Sequence, residues 1–559
     1  MDLCRLAASL GFNRVELQTE MPQFWRELGV ERGETVGQSA GLRAVGDRLR
    51  RDGSLDALEA LGLRVVLWTR EVEDHDLHRD GPIAADNHAL FEAMADRYDR
   101  LLTEDFSEID SIALTVAEAS AWVADPAVIE RVCETVHAAC RRHGKTLIVR
   151  SFAYEGQRAA VSRVLRQLPG DVLLMSKYNP RDWHLRGVRN PIIGHLDPSR
   201  EIVEEDLAGE YYLTNQVGAC LLDTLQRRHA SLEALGVRGV TLRCNRGWDP
   251  AVNYQGSIFG EVQESHLWGY ASWLDGSAGG DRVIDPLRRW AASTFGEDAP
   301  LEELAGVFRP TGEVLAEALL VGFEPFGDLR SGVPIARTTG RGEHIRPARR
   351  LDDEEAERSG DPQHDGRLAE SPWGANSAFH HALSNHAADP AFVTHYQALR
   401  RGEPAIIEAK RRSLADASRR LESCRVRFDG LAGRVSEEPW RYFKFKLDRL
   451  ERVLRFRGHA MMAYLLASQR LYADDAQNRA GLAKEINDHL AAIGDMADRA
   501  AHDGPATQKH RGRTYTFTPW PAGMAEFAEN LRAHFDLQVG RGPARSDSVS
   551  AVAEAARCP

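Results

Sequence analysis

The chain has 559 residues, 43% of them hydrophobic and 28% charged, and a net charge of −12. That length exceeds a single core and implies about two to four domains of ordinary globular composition. The negative balance, with no basic patch that qualifies, argues against a nucleic-acid partner. No apolar run reaches membrane-spanning length, and Met1–Arg5 does not open a basic-then-apolar leader. The cysteines Cys4, Cys133, Cys140, Cys220, Cys244, Cys424 and Cys558 are scattered, odd in number and without CxxC pairs, which fits reduced thiols in the cytoplasm.

Met1 leads into a helix-like run, Leu3 to Leu10. To about residue 300, short β-rich runs then alternate with helix-period segments, the pattern of parallel βα units. Strands are expected at Asn13–Gln18, Leu63–Thr69, Ile109–Val116, Thr146–Ser151, Val172–Ser176, Ile202–Leu207 and Val237–Leu242. A helix is expected at Asp125–His143, where Val128, Ile129, Val132 and Val136 recur at three-to-four spacing. Each strand runs at once into polar residues, among them Glu20, Arg70, Glu71, Glu118, Lys177, Glu210 and Asp249. Functional groups gathered at one end of a parallel sheet are the mark of a TIM-like (β/α)8 barrel. We expect that barrel over residues 1–300, a helical extension and polar linker over 301–375, an all-α domain over 376–503, and a partly disordered tail over 504–559. The linker stretch 332–374 is rich in Arg, Asp, Glu and Gly. In the helical domain, Ile406–Cys424 and Trp440–Leu471 should pack antiparallel, with Gly430, Gly433 and Pro439 punctuating the connection. Thr514–Thr518 alternates like a strand.

The run Val237–Arg243 delivers Asn245-Arg-Gly-Trp-Asp249, a carboxylate in a loop with Gly and Trp, and Glu201–Leu207 leads to Glu210. Two carboxylates from different strand ends are what glycosidic bond cleavage needs: one protonated for the leaving oxygen, one ionised to activate water. Leu207, Tyr211 and Tyr212 suit Glu210 to the first role by desolvating it, and Asp249 suits the second.

With these strands in place, the chain resembles the glycoside hydrolase family 67 α-glucuronidases over about residues 1–275. The family's Arg-x-Phe-x-Tyr strand end is similar to Arg150-Ser-Phe-Ala-Tyr154, and its apolar run into a lysine to Val172-Leu-Leu-Met-Ser-Lys177, followed by Asn190-Pro-Ile-Ile-Gly194. Its Glu-Tyr dipeptide, bearing the general acid, resembles Glu210-Tyr211, and a glutamate six residues upstream matches Glu204. Its Asn-x-Gly-x-Asp motif, part of the general-base apparatus, is matched by Asn245, Gly247 and Asp249, and a glutamate at an earlier strand exit by Glu118. The resemblance implies an inverting glycosidase without cofactor, acting on a uronic-acid-containing oligosaccharide. It also implies that the barrel lacks its first strand, so that either the natural start lies upstream or a segment such as Arg513–Thr518 fills the gap. The family's residues after Glu-Tyr are replaced by Tyr212-Leu-Thr-Asn215, which leaves the sugar open. Glu261 and Glu264 are candidates for a third catalytic carboxylate.

Each candidate has a plainer reading. Glu210 and Asp249 are also ordinary loop carboxylates by residue type. Lys177 and Arg150 suit a uronate carboxylate, or form internal ion pairs with Glu118 or Glu204. Trp68, Trp183, Trp248 and Trp268 are stacking candidates or core, with Trp248 favoured for its place beside Asp249. Glu73–His78 and His380-His381 read as solvated surface rather than metal ligands. The helical domain offers solvated faces or a homodimer stripe. The rival functions are a barrel hydrolase for a neutral sugar and a non-catalytic carbohydrate-binding or scaffold protein.

Overall fold

The structure is a computed structural model that describes residues 1–18, 39–71, 83–116, 123, 125–152, 157–179, 183–187, 189–209, 214–237, 239–246, 256–276, 280–322, 324–326, 398–399, 401–503, 506–517 and 528. All seven expected strands form: β1 (Arg14–Gln18), β2 (Arg64–Arg70), β3 (Ile109–Thr115), β4 (Thr146–Arg150), β5 (Leu173–Lys177), β6 (Glu201–Asp206) and β7 (Gly239–Arg243). They pair in chain order and every pair is parallel. Parallel neighbours need crossovers; helices supply them except between β5 and β6, where the described residues form none. After α1 (Asp2–Ser9) and β1 come α2 (Ser39–Arg51) and α3 (Ser54–Ala60); α4 (His88–Arg100) follows β2, α5 (Pro126–Arg142) β3, α6 (Arg158–Gln167) β4 and α7 (Leu222–Glu233) β6. Helix α5 begins where the sequence supplies a start signal: Asp125 accepts from the Ala127 amide and Pro126 takes the first turn. Its buried stripe, Val128, Ile129, Val132 and Val136, then faces the sheet core.

The strands have two apolar faces. Val65, Leu67, Ile112, Leu114, Leu147, Val149, Leu174 and Val203 join the helices in the outer core. The alternate residues Val66, Trp68, Ala113, Ile148 and Met175 form a small inner cluster of their own. A narrow inner cluster drawn from several strands is what a sheet curling toward a barrel encloses.

The curl does not close among the described residues. There β1 pairs only with β2 and β7 only with β6, so no strand bridges the two edges. Both edge strands are correspondingly half-exposed, whereas β2 to β6 are largely buried. The segment expected to fill the gap does something else: Arg513–Phe517 pairs antiparallel with Ala506–His510. Its turn residues Arg511 and Gly512 both have positive φ, 48° and 72°. That is the requirement of a tight two-residue hairpin, so the strand finds its partner locally rather than across the barrel.

After β7 the chain is mostly helical: α8 (Glu264–Leu274), α9 (Ile284–Phe295), α10 (Leu301–Phe308), α11 (Thr311–Leu319), then α12 (Pro404–Asp429), α13 (Glu437–Tyr472) and α14 (Ala476–Asp503). Helices α12 and α13 pack together across the short connection at 430–436, where Gly433 takes φ 75°; Pro439 lies inside the first turn of α13, where its missing N–H is not needed. Trp290, Phe308 and Phe443 meet edge-to-face with ring centroids 5.0 to 5.3 Å apart. One apolar core therefore runs from the β6 and β7 loops through α9 and α10 into α12 and α13. No helix among the described residues is long and apolar enough to cross a membrane. The stretch 332–374, Glu73–His78, His380-His381 and Cys558 lie outside the described residues, and the other six cysteines are free thiols.

Two buried lysines fasten α12 and α13 to the barrel side. Lys410 Nζ donates to the carbonyls of Glu317 and Leu320, at 2.6 and 2.7 Å, and pairs with the Glu317 carboxylate at 3.1 Å. Lys446 pairs with Glu261 at 3.2 Å, and Tyr442 Oη donates to the same carboxylate. Burial pulls both ammonium groups down to about 8, against the opposing pull of their glutamates. A pair this buried is costly to break and cheap to remove whole. Glu261→Gln is therefore expected to destabilise by about 3 kcal/mol, while Glu261→Gln with Lys446→Met recovers most of the loss. Urea unfolding of both variants checks this; a double variant no better than the single one would refute it.

Candidate active site

Alternation decides which side chains the strands deliver inward at their carboxyl ends. Trp68 belongs to the inner cluster, so Arg70, two residues on, shares its face, and its guanidinium lies 5.6 Å from the Trp68 ring. Register places Arg70 beside Thr115, Lys177 beside Glu204, and Asp206 beside Arg243. Arg150 ends β4 on the same face as Ile148.

Arg150, Arg243 and Lys177 converge on Glu204. Arg150 donates to it through Nη2 at 2.6 Å and Nε at 3.1 Å, and Arg243 Nε forms an ion pair with its other oxygen at 2.6 Å. Arg150 also donates to Thr115 Oγ1 at 3.0 Å, which receives Trp68 Nε1 at 2.6 Å. The Trp68 ring is the floor of the cluster, 4.3 Å from the Arg150 guanidinium and 5.2 Å from that of Arg243. Lys177 Nζ lies 4.7 Å from the centre of the Phe152 ring. Arg150, Glu204, Lys177 and Arg243 are all less than a tenth exposed. Burial raises the Glu204 carboxyl, but Arg150, Arg243 and Lys177 together outweigh it and hold the group at about 2. Glu204 is therefore ionised at neutral pH, with cations around it.

Among the sequence candidates, the structure brings Arg150, Lys177 and Glu204 together. It does so by the internal pairing Arg150–Glu204, the plainer of the two readings for that arginine. Glu118, Glu210, Tyr211, Trp248 and Asp249 lie outside the described residues. Of Asn245 only the backbone is described: it pairs with Ser257 in a two-stranded ribbon at the exit of β7. Two stacking candidates are core residues instead. Trp68 sits inside the barrel, and Trp183 packs in the core that runs on into α12 and α13, donating to Glu205 at 3.3 Å under the Arg228 guanidinium. Trp268 is half-buried against the same core. Glu261 and Glu264 are occupied elsewhere, the first by Lys446 and Tyr442 and the second by the Gly260 amide at 2.7 Å and Arg511 at 3.2 Å. Their closeness to Asp249 in sequence does not free them for chemistry. The residue missed from sequence is Arg243. The expected strand stopped at Leu242, whereas β7 runs one residue further and turns Arg243 onto the inner face.

No known family profile and no curated protein matches this sequence. Among solved structures, a GH138 enzyme targeting pectin rhamnogalacturonan II is similar, with a TM-score of 0.56 and 11% sequence identity. The match covers 89% of this chain and 57% of that one, so this chain spans little more than half the length of its structural neighbour. Identity that low speaks for the fold alone. The architecture is one that a glycoside hydrolase uses, and the narrower resemblance to family 67 stands on the sequence motifs.

Proposed function

We propose that this barrel is an α-glucuronidase-like glycosidase of the cytoplasm, cleaving a uronic-acid-containing oligosaccharide by single displacement with inversion. In this reading Glu210 protonates the departing oxygen and Asp249 serves the water that attacks the opposite ring face. Lys177 and Arg150 present positive charge to the uronate carboxylate, and Glu118, Glu204, Tyr211, Asn245 and Trp248 complete the sugar site. The observation that carries the reading is the convergence of Arg150, Lys177 and Arg243 at the carboxyl end of the sheet, where barrel enzymes bind substrate. Three cations about one resident carboxylate favour an anionic ligand. The shared fold with a glycoside hydrolase supports the reaction class.

One observation favours a second reading, hydrolysis of a neutral sugar: Arg150 is already engaged by Glu204. A matched pair of substrates separates the two, an aryl α-uronide and the neutral aryl glycoside of the same configuration. The first reading expects kcat/KM to favour the uronide by about a hundredfold or more, and Lys177→Met to erase most of that preference by raising KM. Equal kcat/KM on both substrates would assign the cluster a structural role.

A further inference from the structure

Arg70 is a strand-exit cation that the chemistry proposed above leaves unassigned. It is the last residue of β2, and alternation from Val66 and Trp68 of the inner cluster turns it inward. Register sets it level with Thr115. The Trp68 indole then gathers guanidinium groups from three strands, with Arg150 at 4.3 Å, Arg243 at 5.2 Å and Arg70 at 5.6 Å from its ring centre. Like charges this close repel unless anions sit among them.

The central anion is Glu204, whose two oxygens meet Arg150 and Arg243 at 2.6 Å each, with Lys177 adding its charge. Asp206, two residues further along β6, shares the Glu204 face by the same alternation. Among the described residues, the inner face at the carboxyl end thus carries four cations, Arg70, Arg150, Lys177 and Arg243, against two carboxylates, Glu204 and Asp206. That balance attracts an anion, and the attraction is strong where water is scarce. Exposure separates the four cations. Arg150, Lys177 and Arg243 are buried, whereas Arg70 keeps part of its surface exposed. A ligand that enters from the carboxyl end of the sheet meets Arg70 first, and a guanidinium offers paired N–H donors that match the two oxygens of a carboxylate.

We propose that Arg70 is a specificity-determining residue that donates directly to the carboxylate of the sugar, while Arg150 and Arg243 stay on Glu204 and act on the ligand through their charge. The inference rests on the reading of the substrate as a uronide.

The test compares the full chain with Arg70→Met and Arg70→Lys, using an aryl α-uronide, the neutral aryl glycoside of the same configuration and, for binding, free glucuronate followed by calorimetry. Arg70→Met is expected to raise KM for the uronide by roughly ten- to a hundredfold with kcat within about threefold, the pattern of a lost binding contact. Its affinity for glucuronate should fall by a similar factor. Arg70→Lys, which keeps the charge but not the fork, recovers part of both losses. Unchanged KM and unchanged glucuronate affinity in Arg70→Met overturn the inference. An equal loss on the uronide and the neutral glycoside also overturns it, because a structural role would not distinguish them. If Arg70→Met does not fold, Arg70→Lys carries the same test: a loss larger on the uronide supports the role, and an equal loss, or none, refutes it. The two ideas fail separately. An unaltered protein that does not favour the uronide sinks the reading of the substrate and the inference with it, whereas a preference for the uronide that survives Arg70→Met sinks only the inference.

Discussion

Glu210→Gln is expected to cut turnover of an oligosaccharide by about a hundredfold or more while leaving an activated aryl glycoside close to the unaltered rate. The asymmetry follows from the chemistry. A sugar alkoxide is a poor leaving group and must be protonated as the bond breaks, whereas a nitrophenolate leaves without help. Asp249→Asn is expected to slow both substrates alike, because attack by water is common to them. Measuring kcat on each substrate for each variant checks the assignment. Near-normal turnover of the oligosaccharide by Glu210→Gln would mean that the proton comes from elsewhere.

Removing the charge on Glu204 is expected to have the largest effect on stability. Its carboxyl is held at about 2 against a usual 4.5, a depression worth about 3 kcal/mol of folding free energy near neutral pH. Glu204→Gln forfeits that and leaves Arg150, Arg243 and Lys177 crowded together in the barrel without their central anion. The sign of the pH dependence is fixed by the direction of the shift. A depressed carboxyl stabilises above its unfolded value of 4.5 and loses that contribution as pH falls toward 2. The gap between the unaltered protein and Glu204→Gln should therefore be about 3 kcal/mol or more at pH 7 and shrink steadily below about pH 4.5. Urea unfolding at a series of pH values measures the gap. A gap that stays constant down to the acid limit would show that Glu204 is not held by its cations.

The strands and helices were legible because their signals are local. Seven β-branched runs, each ending in polar residues, announce a parallel sheet without any knowledge of partners. Asp125 and Pro126 mark a helix start in the same way. The site was only partly legible, because its decisive facts are not local. Arg150 and Glu204 are 54 residues apart, and no spacing rule says which carboxylate an arginine will meet. The inward turn of Arg243 depends on a strand running one residue past Leu242, a boundary that propensity does not resolve. Trp68 has the parity of Val66 and the inner face, so its place in the barrel interior was readable in principle; an aromatic near a strand end points equally to a sugar-stacking rim. For Thr514–Phe517 the strand character was visible, but its partner was set by the Arg511-Gly512 turn.

The central claim is cleavage of a uronide with inversion by two facing carboxylates, a geometry that requires about 6.5 to 9.5 Å between them to admit water. Its most direct test is to incubate the full chain with an α-linked uronic-acid oligosaccharide and follow the anomeric protons of the product by NMR from the first turnovers. The account predicts that the β-anomer of the released uronic acid appears first and only later mutarotates to the equilibrium mixture. First appearance of the α-anomer, or failure to release uronic acid from any such substrate, would contradict it.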